Sequence, residues 1–415
     1  MRIRRSSCAL WASSLSLVFG VSAVAAQKLE EVLEKQANLT TFRRLVKDHG
    51  DIFSKLPTSG VTQILAPSDQ AYLKGQGWDA NKDEISVALL YGIINGKISF
   101  DALFPGNSSI EDTLLTDSRY SNVTGGQSVL VTKSPNNEVV VTSGVAQRTT
   151  AIRTDITFDG GLIQIIDSLM VTPARLEKTV RDAYQDLTSF LGALYTTDLV
   201  SEFAETRNVT IFAPRNAAFQ QVAGALSGLS KDDLRRVLRY HIVPSTVVGK
   251  AALANGTKLA TGIDKKSLEV TLFNNDIFID SARIIQTDIL IANGVVQVLD
   301  AVLNVNSNNT SPNVTAVTQA PVFTLTGNTE TGTAAPTPFA SALPCTTDCP
   351  VTGGGGGGGN GSGKSGTGTA TGGVRPSSST GGVAPARCTG GITGAAMGLG
   401  LAVGVLGMEA IGVVV

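Results

Sequence analysis

Few residues of this 415-residue chain have the type and spacing needed for catalysis. It contains only two histidines, His49 and His241, and no cysteine lies between Gln27 and Pro344. Serine or cysteine catalysis needs a nucleophile beside a positioned base, and the Gly-x-Ser-x-Gly turn that often presents the serine is absent from the sequence. The His-Glu-x-x-His spacing of zinc enzymes is also absent. We therefore predict no catalytic residues, no cofactor and no metal site, and a secreted enzyme is only a remote alternative.

Two pairs of carboxylates are further candidates for acid–base catalysis. Asp232 and Asp233 follow Ser230 where a helix is predicted to begin, and acidic side chains there complement the helix dipole. Asp167 and Asp300 end equivalent predicted strands in separate parts of the chain. Structural roles account for all four residues better than acid–base catalysis does.

A phosphate-binding pattern occurs in an unsuitable place. Residues 358–365 satisfy Gly-x-x-x-x-Gly-Lys-Ser, but a run of glycines precedes them and Gly-Thr repeats follow. That loop binds phosphate only between a buried strand and a helix. We predict no nucleotide binding, and a net charge of −1 without a basic cluster in the mature chain argues against nucleic acid.

The elements that must position any site occur twice. Residues 62–72 and 208–219 each combine a buried strand, an Ala-Pro pair and the start of a helix that bears an aromatic residue. Later, Asp155-Ile156 precedes a Gly-Gly-Leu-Ile-Gln strand, and Asp288-Ile289 precedes an Asn-Gly-Val-Val-Gln strand. Two motifs in the same order indicate a duplicated domain.

Each copy places helices early and strands late. This order predicts an α+β fold in which a helical layer packs on a mostly antiparallel sheet. The copies span residues 27–172 and 173–306, and residues 173–194 are predicted to form one amphipathic helix. We also expect Asp69 and Asn216 to be N-caps, and Phe212 and Phe219 to enter one core.

These motifs, together with Tyr240-His241, resemble the fasciclin-like adhesion domain family over residues 28–305. The first copy departs from the pattern, because it reads Tyr91-Gly92 where the second reads Tyr240-His241. The resemblance implies a non-catalytic adhesion module and a candidate adhesion segment made of Tyr240, His241, Asp288 and Ile289. A histidine that closes a helix and an isoleucine buried in a strand are equally good structural explanations of these residues.

Both ends of the chain have the composition of processing signals. Residues 1–26 have a basic start, an apolar run and small residues at the exit, as in a signal peptide. Residues 307–382 are rich in Thr, Ser, Pro and Gly and predict a disordered stalk. Residues 383–415 predict a removed glycosylphosphatidylinositol (GPI) attachment signal, although a retained membrane helix is the alternative. The candidate attachment residues are Ser378, Ser379, Thr380, Gly381 and Gly382.

In a secreted protein, two further features of the sequence predict covalent modifications. Cys345 and Cys349 could close a small disulfide loop in the stalk. Asn-x-Ser/Thr sequences are acceptors for N-linked glycans in secreted proteins. The candidate glycosylation sites are Asn38, Asn107, Asn122, Asn208, Asn255, Asn308, Asn309, Asn313 and Asn360.

The sequence thus predicts a GPI-anchored protein on the extracellular face of the plasma membrane or in the cell wall. Its expected partners are cell-surface proteins or glycans of the matrix or wall, with the membrane reached through the lipid anchor. The alternative is a structural wall glycoprotein whose carbohydrate makes the contacts.

Overall fold

The computed structural model describes residues 27–57, 61–75, 78, 81–96, 99–307, 311–323 and 337–344. These residues form two seven-stranded sheets, one in each predicted domain. Several predicted features lie outside them: the signal peptide, Asn308, Asn309, Asn360, Cys345, Cys349 and the attachment region 378–382. Within the described part of the chain, no helix is both long and apolar enough to cross a membrane.

The first domain places its helices mainly before its long strands. Its helices are α1 (Leu29–Glu34), α2 (Thr40–Asp48), α3 (Gly50–Phe53), α4 (Asp69–Lys74) and α5 (Lys82–Tyr91). Its strands are β1 (Val61–Pro67), β2 (Ile93–Gly96), β3 (Ser108–Asp112), β4 (Ser128–Lys133), β5 (Val139–Thr142), β6 (Arg148–Phe158) and β7 (Gly161–Ile166).

The second domain repeats this arrangement with one additional helix. Its helices are α6 (Leu176–Ala183), α7 (Thr188–Thr196), α8 (Val200–Glu205), α9 (Asn216–Gln221), α10 (Ala223–Ser227) and α11 (Lys231–Arg239). Its strands are β8 (Val209–Pro214), β9 (Ile242–Val243), β10 (Lys258–Ala260), β11 (Ser267–Phe273), β12 (Asp276–Ile279), β13 (Ala282–Ile291) and β14 (Gly294–Leu299).

The two sheets share one topology. Their strand orders are β2-β1-β7-β6-β5-β4-β3 and β10-β11-β12-β13-β14-β8-β9. The first strand of each domain pairs in parallel with its last strand, and Pro67 pairs with Ile166 as Pro214 pairs with Leu299. All other strand pairs are antiparallel. The predicted α+β fold with a mostly antiparallel sheet is confirmed.

The expectation that Phe212 and Phe219 enter one core is wrong. Phe219 packs with Ile211 and the helices on one side of the sheet, whereas Phe212 packs with Leu268 on the other side. Successive strand residues point to opposite faces, so neighbours 211 and 212 necessarily separate. The first domain likewise has a core on each side of its sheet.

Asp69 and Asn216 begin their helices but do not cap them. The N-caps are Ser68 and Arg215, and the Ser68 hydroxyl accepts from the N–H of Ala71. Asp69 instead accepts from the N–H groups of Thr40 and Thr41, at 3.0 and 2.7 Å, at the start of α2. Asn216 does the same for Ser189 of α7 at 2.8 Å. Each side chain therefore ties the helix after the Ala-Pro turn to an earlier helix.

The predicted helix over residues 173–194 is broken. The structure has α6, a short 3-10 turn at Gln185–Leu187 and then α7. Tyr184 separates them with a non-helical backbone, at φ −129° and ψ 58°. The break lets α7 turn into the core, where Phe190 and Leu191 are fully buried.

Part of the predicted stalk packs on the second domain. Phe323, Phe339 and Leu343 contact its helix-side core, and the ring centroid of Phe339 lies 6.1 Å from that of Phe219. The N–H of Gln319 donates to Asp300 at 3.4 Å. The folded body thus extends past the predicted boundary at residue 306.

Candidate functional site

The Tyr240-His241 pair lies where α11 ends and β9 begins. Leu234, Val237 and Leu238 anchor the apolar face of α11, and its charged side chains lie on the other face. Both members of the pair are buried, and His241 has no exposed surface. Because they are adjacent at a turn, Tyr240 packs in the core on one side of the sheet and the His241 ring lies beside Phe190 on the other.

His241 is held as a neutral ring. Its Nδ1 lies 2.8 Å from the carbonyl oxygen of Val237, and its Nε2 accepts from the N–H of Leu303 at 3.0 Å. These partners require a proton on Nδ1 and a free lone pair on Nε2. Burial lowers the pKa of His241 to about 4, because the charged ring would lose its hydration. The ring therefore connects the end of α11 to the chain that follows β14.

Tyr240 makes an equally internal contact. Its hydroxyl donates to the Asp280 carboxylate at 2.6 Å, and the N–H of Glu269 donates to the same side chain at 2.8 Å. Burial raises the pKa of Asp280 and that of Tyr240, since each charged form is poorly solvated there. Asp280, which follows β12, thus connects β11 to the residue that follows α11.

Asp288 occupies a bulge in β13. Its backbone is left-handed, with φ 61°, where the register of β13 against β14 shifts. The Gln297 side chain bridges the bulge by accepting from the N–H of Asp288 and donating to its carboxylate, both at 3.0 Å. Asp155 and Gln164 form the same clamp in the first domain, with distances of 2.8 and 2.6 Å. The repeated Asp-Ile and Gln motifs therefore build a strand bulge.

The Asp288 carboxylate also accepts from the N–H of Lys250 at 2.8 Å, and Ile289 is buried in the helix-side core. In the described residues, no hydrogen bond or ring contact links His241 to Asp288. All four residues of the candidate adhesion segment are thus buried and have internal partners. Their role in contacting a partner stays a prediction, because a partner would reach them only after local opening.

The carboxylates questioned above have comparable structural partners. Asp167 accepts from the N–H of Thr150 at 2.9 Å, and Asp300 accepts from the N–H of Arg283 at 2.8 Å. Burial opposes ionisation of Asp167, but hydrogen bonds outweigh it and lower the pKa. At Asp300, burial dominates and raises the pKa. The N–H of Asp233 donates to the hydroxyl of Ser230, which is the N-cap of α11. In the described part of the chain, no group of three metal-ligating side chains is assembled.

Two glycosylation sequences meet between the domains. The N–H of Thr124 donates to the Asn208 side chain at 2.7 Å, and the Asn208 amide donates to the Thr124 hydroxyl at 2.8 Å. The Asn122 amide donates to the carbonyl of Glu205 at 2.6 Å, and its N–H donates to Ala292 at 2.8 Å. We call residues 122–124, Glu205, Asn208 and Ala292 the domain junction. The sequence marks both asparagines as glycan acceptors, and only the fold shows that they are neighbours, with the N–H of Asn208 donating to the carbonyl of Asn122 at 3.3 Å.

A polar groove of about 480 Å³ opens beside the domain junction. Its walls come from both domains and include Asp112, Asn208, Lys250 and Asp288. The other candidate glycan acceptors among the described residues are exposed: Asn38, Asn107, Asn255 and Asn313.

Comparison with protein-family models agrees with this duplicated architecture. The family model described as the fasciclin domain matches residues 37–172 and 185–305. A solved FAS1 domain pair from the insect cell adhesion molecule Fasciclin I aligns with 64% of this chain and 97% of its own, at 16% identity and a TM-score of 0.33.

The similar curated proteins include fungal fasciclin-like arabinogalactan proteins. One from Arthroderma benhamiae is 32% identical over 211 residues, which cover 51% of this chain and only 49% of that protein. Another, from Cercospora beticola, is 26% identical over 68% of this chain and 78% of its own length. Human periostin is 23% identical over 64% of this chain and 30% of its own length.

Proposed function

This chain belongs to the fasciclin domain family, and on that premise we propose that it is a non-catalytic adhesion glycoprotein of the cell surface or cell wall. The observation that carries this proposal is the double match of the family model, which covers both described domains. The fungal relatives support it, because their name refers to a carbohydrate-bearing protein.

The surface chemistry favours polar partners. On the exposed side of α11, Arg239 forms a two-pronged ion pair with Glu202, with a shortest distance of 2.6 Å. Lys231 and Arg235 both pair with Asp198. These groups are partly exposed but already paired with one another, so a protein or glycan partner would have to share or replace these ion pairs.

A binding experiment tests the adhesion proposal. Residues 27–344, secreted and purified, should bind to cells or isolated walls saturably and compete with an unlabelled copy. The control is the same fragment carrying Phe212→Ala, which removes a fully buried ring and should abolish binding by unfolding the second domain. Non-saturable binding by the wild-type fragment would contradict the proposal.

The alternative of a structural wall glycoprotein has one observation in its favour, the exposed acceptors Asn38, Asn107 and Asn255. If carbohydrate makes the contacts, enzymatic removal of glycans should abolish binding while the fold persists. If the domains make them, the deglycosylated fragment should still bind.

We further propose that the chain is held at the membrane by a lipid anchor. The support is the small-residue, spacer and apolar order of the C-terminal sequence. A phosphatidylinositol-specific phospholipase should release the protein from membranes. Peptides from residues 399–415 in the purified mature protein would contradict the anchor.

A further inference from the structure

The two domains differ at the position of the buried histidine. The N–H of Phe212 donates to the carbonyl of His241 at 2.8 Å, and the N–H of Leu65 donates to that of Gly92 at the same distance. Leu65 and Phe212 each lie two residues before the proline of their Ala-Pro pair. Gly92 therefore occupies the place of His241 but has no side chain.

A cavity lies where the first domain lacks this ring. Its volume is about 430 Å³, and its lining includes Phe42, Tyr72, Val87, Tyr91 and Gly92. Phe42 is the counterpart of Phe190, since each directly follows the two residues that donate hydrogen bonds to Asp69 or Asn216. In the second domain, Phe190 is the neighbour of the His241 ring. The cavity thus has the location of the missing imidazole and extends beyond it.

The missing ring also removes a hydrogen-bond acceptor. In the second domain, Nε2 of His241 accepts from the N–H of Leu303, four residues after Leu299. Ile166 matches Leu299 in register, so the counterpart of Leu303 is Met170, which lines the cavity. Gly92 has no side-chain atom that could accept from the Met170 N–H in the same way. An occupant that matches the imidazole would therefore combine apolar volume with an acceptor atom.

We propose that this cavity binds a small, neutral and mainly apolar molecule that carries a carbonyl or similar acceptor oxygen. The volume lies in the range of ligand sites in proteins, and most of the lining is aliphatic or aromatic. Among the described lining residues none is Lys or Arg, and Glu84 is the one carboxylate. An anionic ligand such as a fatty acid would therefore lack a cationic partner and face a like charge.

Nile red, a neutral planar dye with a carbonyl oxygen, is a suitable probe. The full secreted chain should bind it saturably, with one site per chain and increased fluorescence. Gly92→His should place a ring in the cavity, as His241 does in the second domain, and raise the dye Kd by about tenfold or more. A built Cβ at Gly92 meets its nearest backbone oxygens at 3.3 Å, so thermal unfolding must confirm that this variant folds.

A second variant leaves the buried position untouched. Ala88 is exposed on α5 and also lines the cavity, so Ala88→Phe should obstruct the mouth and weaken dye binding. Leu73→Ser is the matched control, because Leu73 is 77% exposed on α4 and is not among the described lining residues. It should leave the Kd unchanged.

Three results would overturn the proposal: no saturable binding by the wild-type chain, unchanged binding by folded Gly92→His and Ala88→Phe, or equal loss in Leu73→Ser. Tighter binding of an anionic naphthalene sulfonate dye at the same site would overturn the neutral class. None of these results depends on adhesion, which the cell-binding experiment measures separately.

Discussion

At the scale of single residues, the neutral ring of His241 makes the stability of the second domain depend on pH. A proton on Nε2 would point at the N–H of Leu303, which is already a donor, and would place a charge in the core. The folded state therefore resists protonation, with a pKa of about 4. An unfolded histidine titrates near its ordinary value of 6.5, so acid favours the unfolded chain.

We predict that acid weakens the second domain through this residue. The contribution of neutral His241 is complete above pH 6.5 and declines as the pH falls toward 4, by up to ~1.4 kcal/mol per pH unit. Burial raises the pKa of Asp280 and Asp300, so these carboxyls act in the opposite direction by taking up protons in the folded state. The measurement is therefore a difference, in which urea unfolding of the wild type is compared with that of His241→Asn from pH 7 to 4.

His241→Asn keeps hydrogen-bonding capacity but does not titrate, so its unfolding free energy should fall less steeply with acid. Parallel pH curves for the two proteins would contradict the prediction. His49, the other histidine, is partly exposed, and His49→Asn serves as the control variant.

At the scale of elements, the connections between helices depend on Asp69 and Asn216. Each side chain accepts two or more hydrogen bonds at the start of an earlier helix: α2 for Asp69 and α7 for Asn216. Truncating either to Ala should cost about 1–2 kcal/mol of the unfolding free energy of its own domain. Asp51→Ala, which changes an exposed acidic residue in the first turn of α3, should cost much less. Equal losses in all three variants would show that the bridging hydrogen bonds add nothing specific.

Some of these elements could be predicted from the sequence and others could not, for physical reasons. The duplication, the fold class, the late strands and α11 follow from apolar spacing and two repeated motifs, so pattern alone sufficed. The full extent of the long strands β6 and β13 was not predicted, because the bulges at Asp155 and Asp288 interrupt the alternation of a regular strand. The roles of Asp69 and Asn216 depend on helices about 28 residues away, a relation that local capping rules do not contain.

The candidate site was likewise only partly predictable from the sequence. The family resemblance drew attention to His241 and Asp288, but their burial results from packing by distant residues such as Leu303 and Lys250. The domain junction requires the folded arrangement of both copies, and the cavity beside Gly92 requires the tertiary packing of the first copy. The sequence did contain one signal for the cavity, the change from Tyr-His to Tyr-Gly.

At the scale of the whole molecule, the domain junction should control where glycans are found. The glycan acceptor atom Nδ2 of Asn208 is bonded to Thr124, and that of Asn122 is bonded to Glu205. A glycan at either position would separate the domains at this contact. We expect glycopeptide mass spectrometry of the folded protein to show carbohydrate on the exposed Asn38, Asn107 and Asn255, and bare peptide at Asn122 and Asn208. High occupancy at Asn208 would mean that the domains do not meet as in this structure.

The second domain should also depend on a segment beyond its family-matched boundary at residue 305. Residues 337–344 lie against α7, where a Cβ built on Gly192 would approach the carbonyl oxygen of Phe339 to 2.1 Å. The glycine therefore permits close contact, and the Phe339 ring meets Phe219 edge to face. Because Phe339 is only partly buried, Phe339→Ala should cost about 1–2 kcal/mol, less than the cost of removing a fully buried ring.

The test compares residues 173–306 with residues 173–344 by chemical denaturation. Both fragments should unfold cooperatively, and the longer one should be more stable by an amount that Phe339→Ala largely removes. Val317→Ala is the control within residues 307–344, since its side chain is 85% exposed and should contribute little. Gly192→Ala in the longer fragment should imitate the shorter one, because the added methyl group displaces the segment while the rest of α7 keeps its packing. Equal stability of the two fragments would show that residues 307–344 add no stability to the domain, and that the folded unit ends where the repeated sequence ends.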